Sequence, residues 1–282
     1  MRATLAVVLA RGLGTRLRED DGARLTDAQR AAAERGTKAL MPVHGWPLLD
    51  HLLHALADGG VRDVVLVIAP DADAIRARYD DEAPPTRLRV RYAVQPEPRG
   101  TADALLAARA AVEAPVGAPR DDAGVRHFLV CNADNLYPPE SIAVLVELDG
   151  PGCVAFDAAA LTADGAVDDV RIRRFALLEL APDDTLRDIV EKPDASHPLA
   201  MPPAPWVSMN LWRFTDAIFD DCGAIEPSAR GELELPDAVR RAIHERGARF
   251  HAVRQAVAVP DLSHRRDVAA LEARLGRRTP RP

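Results

Sequence analysis

Of the 36 basic side chains in this sequence, 34 are arginines and only two, Lys38 and Lys192, are lysines. An ammonium is a compact, mobile point charge, whereas a guanidinium is a rigid planar fork. A site that must follow a phosphoryl group through reaction is served by the former. Lys38 comes after a glycine turn, Gly12-Leu13-Gly14-Thr15-Arg16, and Lys192 sits in Val190-Glu191-Lys192-Pro193. Such a turn exposes backbone N–H groups that can hold phosphate oxygens while Arg16 neutralises their charge. The bland readings are a tight strand-to-loop turn and two lysines on a solvated surface. The turn is not a dinucleotide fingerprint, because Leu17 stands where the third glycine belongs. It is not a P-loop either, since no Gly-Lys-Ser/Thr follows. His51 and His54 share a helix face without a third metal ligand, and no serine lies in a Gly-x-Ser-x-Gly context. Arg171, Arg173 and Arg174 read as a solvated basic face or as residues flanking an anionic ligand.

The composition narrows the class. A net charge of −7 argues against general nucleic-acid binding. No apolar run is long enough to span a bilayer, so no membrane partner is expected. The apolar start, residues 3–10, imitates a signal peptide, but it flows directly into the glycine turn and reads better as a buried first strand. Three cysteines without CxxC spacing read as small buried hydrophobes in a reducing cytoplasm.

These residues need elements to position them. Apolar strand-like runs at 5–9, 61–68, 88–94 and 128–132 alternate with helix-period segments at 47–56, 71–79, 101–112 and 142–148. That alternation predicts an α/β fold on a mostly parallel sheet. Further strands are expected at 153–158, 175–180, 186–191, 207–214 and 250–259, with 175–191 forming a hairpin around Pro182-Asp183-Asp184. Helices are expected near 215–219, at 236–246 and at 268–275. Thr26-Asp27-Ala28-Gln29 is a capping-box pattern and predicts a short helix. One domain is expected over 1–276, with a frayed basic tail at 277–282 and no C-terminal β-helix.

Read in order, the motifs resemble the sugar-1-phosphate nucleotidyltransferases, the family of glucose-1-phosphate thymidylyl- and uridylyltransferases and mannose-1-phosphate guanylyltransferases. The resemblance begins at Leu9-Ala10-Arg11-Gly12-Leu13-Gly14-Thr15-Arg16-Leu17, Lys38-Ala39-Leu40-Met41-Pro42-Val43 and Pro47-Leu48-Leu49-Asp50. It continues through Gln95-Pro96-Glu97-Pro98-Arg99-Gly100-Thr101, Asn132-Ala133-Asp134-Asn135, Glu191-Lys192-Pro193, Val207-Ser208-Met209-Asn210 and Val259-Pro260-Asp261-Leu262. No single motif decides; their order over nearly the whole chain does.

The resemblance implies a Rossmann-like doubly wound sheet and transfer of a nucleotidyl group from an NTP to a sugar 1-phosphate. It implies Arg16, Lys38 and Lys192 as catalytic cations. It implies Leu9, Ala10, Gly12, Gly14, Thr15, Gln95, Gly100 and Thr101 around the nucleotide, and Glu191 and Asn210 on the sugar phosphate. It implies Asp134 and Asp261 on Mg²⁺, an ion that favours one or two carboxylates plus phosphate oxygens. Arg11 and Ala133 depart from the pattern, where a small residue and a glycine are usual, and the 18–36 segment is longer than usual. Tied at both ends to the phosphate site, that segment is expected to act as a mobile lid, or else to pack statically on the sheet edge. A homo-oligomer is compatible with this reading. Two alternatives stay open: a catalytically silent nucleotide-sugar-binding regulator, and transfer to a non-sugar phosphate or phosphonate acceptor.

Overall fold

The computed structural model describes residues 2–115, 117–163, 167, 169–200, 205–276 and 278–282. The strands in chain order are β1 Leu5–Leu9, β2 Pro42–Val43, β3 Trp46–Pro47, β4 Asp63–Ile68, β5 Arg89–Val94, β6 His127–Asn132, β7 Gly152–Asp157, β8 Ala176–Leu180, β9 Leu186–Glu191, β10 Trp206–Thr215 and β11 His251–Gln255. The helices are α1 Thr15–Arg18, α2 Asp27–Arg35, α3 Leu48–Asp58, α4 Asp73–Arg76, α5 Thr101–Ala107, α6 Arg109–Glu113, α7 Pro139–Glu147, α8 Ala158–Thr162, α9 Ile218–Ala224, α10 Leu235–Arg246 and α11 Asp267–Leu275.

The main sheet runs β11-β7-β10-β6-β1-β4-β5, and β8 and β9 branch from β10 as the expected hairpin. Along that path only β10 is antiparallel to its neighbours. Alternate residues of each strand face opposite ways. Ala6, Val8, Leu66, Ile68, Leu129 and Cys131 enter one apolar cluster with α3, α7 and α11. Leu5, Val7, Val65, Val67, Phe128 and Val130 enter another with α5, α9 and α10. Both faces are therefore covered, as a parallel sheet requires.

Chain order reverses beside β1, which lies between β4 and β6. Ligands of doubly wound sheets bind outside the strand carboxyl ends at such a switch point. The glycine turn follows β1 and Asp134 follows β6, so both emerge there.

Four expectations change. The 101–112 helix is interrupted at Ala108, whose N–H bonds the Leu105 carbonyl three residues back, a tightened turn that separates α5 from α6. The last strand stops at Gln255, because its partner β7 ends opposite. The described tail, 278–282, is docked: Arg281 N donates to His54 Nδ1 at 3.1 Å and Thr86 N to the Pro282 carbonyl at 2.9 Å. Arg277 lies outside the described residues.

The fourth concerns 18–36. Its middle is not free. The capping box at Thr26 forms α2, which buries Gln29, Ala32 and Ala33. Gln29 Nε2 donates to the Pro42 carbonyl at 3.0 Å and to Glu272 at 2.9 Å, fixing α2 to β2 and α11. The helix ends at Gly36, which packs against the phosphate turn. Gly14 has φ 60°, and a Cβ there would lie 2.1 Å from the Gly36 carbonyl oxygen. Gly12 has open space around it.

The two glycines of the turn should therefore respond differently to alanine. Gly14→Ala adds a left-handed backbone cost of ~1–2 kcal/mol to a backbone clash. It should lower Tm by roughly 4 °C or more, while Gly12→Ala leaves Tm nearly unchanged. Thermal unfolding of the two variants measures this, and equal Tm values would contradict the packing.

Candidate active site

Two adjoining cavities open at the strand carboxyl ends. The larger, of about 570 Å³, is lined by Leu9, Ala10, Gly12, Gly14, Thr15, Gln95 and Gly100, among others. The smaller, of about 230 Å³, is lined by Glu191, Lys192, Ser208 and Asn210, among others. Arg16, Lys38, Thr101, Asn132, Asp134 and Glu232 border both. The nucleotide-side and sugar-side residues thus separate into two chambers, and Arg16, Lys38 and Asp134 stand at the seam.

Lys38 Nζ lies 2.8 Å from Asp134 Oδ2, with only 18% and 26% of the two side chains exposed. Burial works against the Lys38 charge, but the charges of Asp134 and Asp261 and the hydrogen bond it donates to Asp134 outweigh that and hold its pKa above the ordinary value. Lys38 therefore stays cationic at the seam.

In the larger chamber Arg11 Nε donates to the Gln95 carbonyl at 3.2 Å. Gln95 is itself buried, and its Nε2 donates to the Gly100 carbonyl at 3.1 Å and to Asp103 at 2.7 Å. That amide nitrogen shapes the wall rather than reaching across it. Gly100 has φ 113°, and a Cβ there would fall 2.3 Å from the Leu233 carbonyl oxygen. This close approach brings Glu232 and Glu234 to the site. Thr101 Oγ1 accepts the Leu235 N–H at 2.8 Å, so its hydroxyl also anchors the start of α10.

In the smaller chamber Lys192 Nζ pairs with Glu191 at 2.9 Å. Burial, opposed by Lys192, raises the Glu191 pKa. Burial, then the neighbouring Glu234, also raises that of Glu232. Arg230 bridges this group, pairing with Glu234 and lying 3.6 Å from Glu191. Lys192 has φ 46° and Asn210 φ 55°. Asn210 sits where the β10 register against β7 shifts between Ser208 and Trp212. Non-glycine residues adopt this conformation at a cost of order 1–3 kcal/mol, and such residues gather at functional sites.

Two residues lie in surroundings other than those expected. Asp261, expected to share a metal with Asp134, is 5% exposed and lines neither cavity. Burial and the Asp134 charge raise its pKa to about 6 against the pull of Arg171. Arg171, expected on a solvated face, is 3% exposed in a 3₁₀ helix, Asp169–Arg174, and pairs with Asp261 and Asp267. Its charge is compensated inside the protein, so it has no need of solvent. The two helix histidines serve packing: His51 Nε2 contacts the Val43 carbonyl at 3.1 Å, and His54 meets the tail.

Sequence reasoning did not single out Asn132, Asn135, Glu232, Glu234 or Tyr137. Tyr137 Oη donates to the Met209 carbonyl at 2.6 Å and accepts the Asn132 N–H at 3.2 Å, joining β6 to the β10 bulge. Asn132 and Asn135 are the first and last residues of the quoted Asp134 motif, which was a usable signal. Among the described residues no group of three or more His, Cys, Asp or Glu could hold a metal ion. Asp134, the carboxylate at the seam, fits a magnesium ion that takes its remaining ligands from phosphates and water.

A doubly wound sheet with a phosphate turn and a cationic seam between two chambers defines a nucleotide-processing α/β enzyme. The family model described as nucleotidyl transferase matches residues 5–258. The chain is 29% identical over 234 residues to a UTP–glucose-1-phosphate uridylyltransferase of Haloferax volcanii, covering 83% of this chain and 81% of the relative. It is 26% identical to a glucose-1-phosphate thymidylyltransferase of Neisseria gonorrhoeae, covering 83% and 69%. Its fold matches the crystal structure of a UDP-glucose pyrophosphorylase complexed with UDP-glucose, with TM-score 0.64, 16% identity and coverage of 89% and 90%. The chain belongs to the nucleotidyl transferase family, as its ordered motifs implied. Among the described residues no helix is long and apolar enough to cross a membrane.

The left-handed backbone of Lys192 separates its structural from its chemical contribution. Lys192→Gly should be more stable than Lys192→Ala by ~1 kcal/mol, since alanine retains the left-handed cost. Both should lose turnover alike, because both lack the ammonium. Urea unfolding beside initial rates tests this, and a Gly variant less stable than the Ala variant would contradict the geometry.

Proposed function

We propose that this protein joins a nucleoside triphosphate to a sugar 1-phosphate, releasing pyrophosphate and forming a nucleoside diphosphate sugar. The observation that carries this reading is the pair of chambers meeting at Lys38, Asp134 and Arg16. The nucleotide takes the larger chamber and the sugar phosphate the smaller. An oxygen of the sugar phosphate attacks the α-phosphorus, a P–O bond forms in line, and the bond to the β-phosphate breaks.

The nucleophile is already an anion, so no general base is required. The barrier lies in aligning two polyanions and neutralising their repulsion. Backbone N–H groups of 12–15 and Arg16 hold the triphosphate. Lys38 meets the α-phosphate as charge moves onto the leaving pyrophosphate, and Lys192 holds the sugar phosphate against it. Glu191 and Asn210 accept and donate to sugar hydroxyls. Bound through Asp134 and phosphate oxygens, Mg²⁺ would supply the divalent charge that screens the phosphates. The relatives named for uridylyl and thymidylyl transfer to glucose 1-phosphate favour a hexose 1-phosphate acceptor.

A matrix of NTPs against sugar 1-phosphates, read by pyrophosphate release, tests the reading directly. At least one pair should turn over, and EDTA should abolish turnover. Lys38→Ala and Lys192→Ala should each lower kcat by ~10²-fold, the scale for losing one preorganised charge. Nucleotide-sugar binding without turnover across the matrix would favour a silent regulator, and turnover only with phosphonates would move the acceptor class.

A further inference from the structure

Every oxygen of the Asp261 carboxylate is already engaged within the protein. Oδ1 accepts from Asn135 Nδ2 at 3.1 Å. Oδ2 accepts from Ser263 Oγ at 2.8 Å and from the Arg171 guanidinium. Arg171 directs its other terminal nitrogen to Asp267 Oδ1 at 2.9 Å. Asp267 in turn accepts the N–H groups of Ser263 and His264 at 2.8 and 2.7 Å. A magnesium ion binds oxygen lone pairs at ~2.0–2.1 Å in near-octahedral geometry. On Asp261 an amide takes that place on one oxygen and a hydroxyl and a guanidinium on the other, whereas the Lys38 ammonium meets Asp134 on Oδ2.

We propose that Asp261 is not a metal ligand in this chain. As a positioning residue it anchors Arg171, which itself lines the smaller cavity, and the Asp261–Arg171–Asp267 clamp sets the wall of the sugar-phosphate chamber.

The link from clamp to chamber is short. Arg171 lies at the middle of the Asp169–Arg174 turn. Arg174, at its end, lines the smaller chamber. The next residue, Phe175, accepts the Lys192 N–H on its carbonyl at 3.3 Å. A shift of Arg171 therefore moves both Arg174 and the strained backbone that presents the Lys192 ammonium. At its other end Asp261 pairs with Asn135 by an isolated bridge, and Leu262 N donates to the Asp134 carbonyl at 2.9 Å. The clamp thus spans from the Asp134 loop to the sugar-phosphate cations. Buried ion pairs add little net stability because desolvation offsets attraction, yet breaking one is costly. Fixed geometry is what this one supplies.

The kinetic part rests on the proposed transfer reaction; the binding and exchange parts do not. The variants are Asp261→Asn, Arg171→Met, the double variant and Asp134→Asn. The readouts are KM for each substrate, Mn²⁺ affinity from water-proton relaxation, and hydrogen exchange over 169–175. The clamp predicts that Asp261→Asn and Arg171→Met each raise the sugar-1-phosphate KM by ~10-fold, leaving NTP KM and Mn²⁺ affinity within about 2-fold. Exchange over 169–175 should rise in both, and the double variant should be no worse than the worse single, as for partners in one network. Asp134→Asn should lose Mn²⁺ binding. If Arg171→Met does not fold, Arg171→Lys keeps charge but reaches one carboxylate, and should give an intermediate KM. Mn²⁺ binding weakened by Asp261→Asn as much as by Asp134→Asn would overturn the proposal, as would unchanged exchange in both clamp variants. A parent enzyme with no turnover would sink the transfer reading, while relaxation and exchange still decide the clamp.

Discussion

The contact between Lys38 and Asp134 joins the two halves of the protein's chemistry. Lys38 reaches the seam from the segment beyond the phosphate turn, and Asp134 from the end of β6. Opposite charges 2.8 Å apart attract more strongly in a partly buried place than on a surface, and desolvation offsets much of that gain, so the pair supplies fixed geometry more than stability. Between them they offer one fixed cation and one carboxylate where two groups of phosphates must meet. Everything else in the fold either brings those two side chains together or shapes a chamber on one side of them.

The parallel sheet performs the first task. β1 and β6 are adjacent and parallel, so the loops after them emerge side by side. The β10 strand performs the second. Running antiparallel beside β6, it carries Asn210 into the smaller chamber at a register shift. Tyr137 holds the two strands together there, with its hydroxyl between Asn132 and Met209. Of the two chambers, the smaller carries the positive-φ side chains Lys192 and Asn210, while the larger counts Gly12, Gly14, Gly36 and Gly100 in its lining. That difference would suit the proposed ligands, with N–H groups of the glycine turn on the triphosphate and side chains at fixed angles on the sugar.

Much of this was legible in the sequence because its signals are local. The apolar runs of β1, β4 and β6, the capping box of α2 and the hairpin of β8 and β9 follow from neighbouring residues alone. Gly12, Gly14, Gln95, Asp134 and Lys192 line the two chambers because their motifs follow strand ends, and Lys38 reaches them from the 3₁₀ turn Lys38–Leu40. What stayed hidden depends on distant partners. Arg171 reads as a surface arginine until Asp261 and Asp267 are brought to it from some 90 residues away. Glu232 and Glu234 reach the site only because Gly100 lets Leu233 approach. The docking of the tail and the anchoring of α2 stayed hidden for the same reason, since charged, alanine-rich segments show no long-range partner in one dimension.

The central claim is that the seam is where the two substrates react. A crystal structure of the protein with its nucleoside diphosphate sugar product tests this most directly. The account predicts the base in the larger chamber, the sugar beside Glu191 and Asn210, the α-phosphate within hydrogen-bond reach of Lys38 or Arg16, and the sugar-linked phosphate on Lys192. A diphosphate bound away from the seam, or a base seated in the smaller chamber, would contradict it.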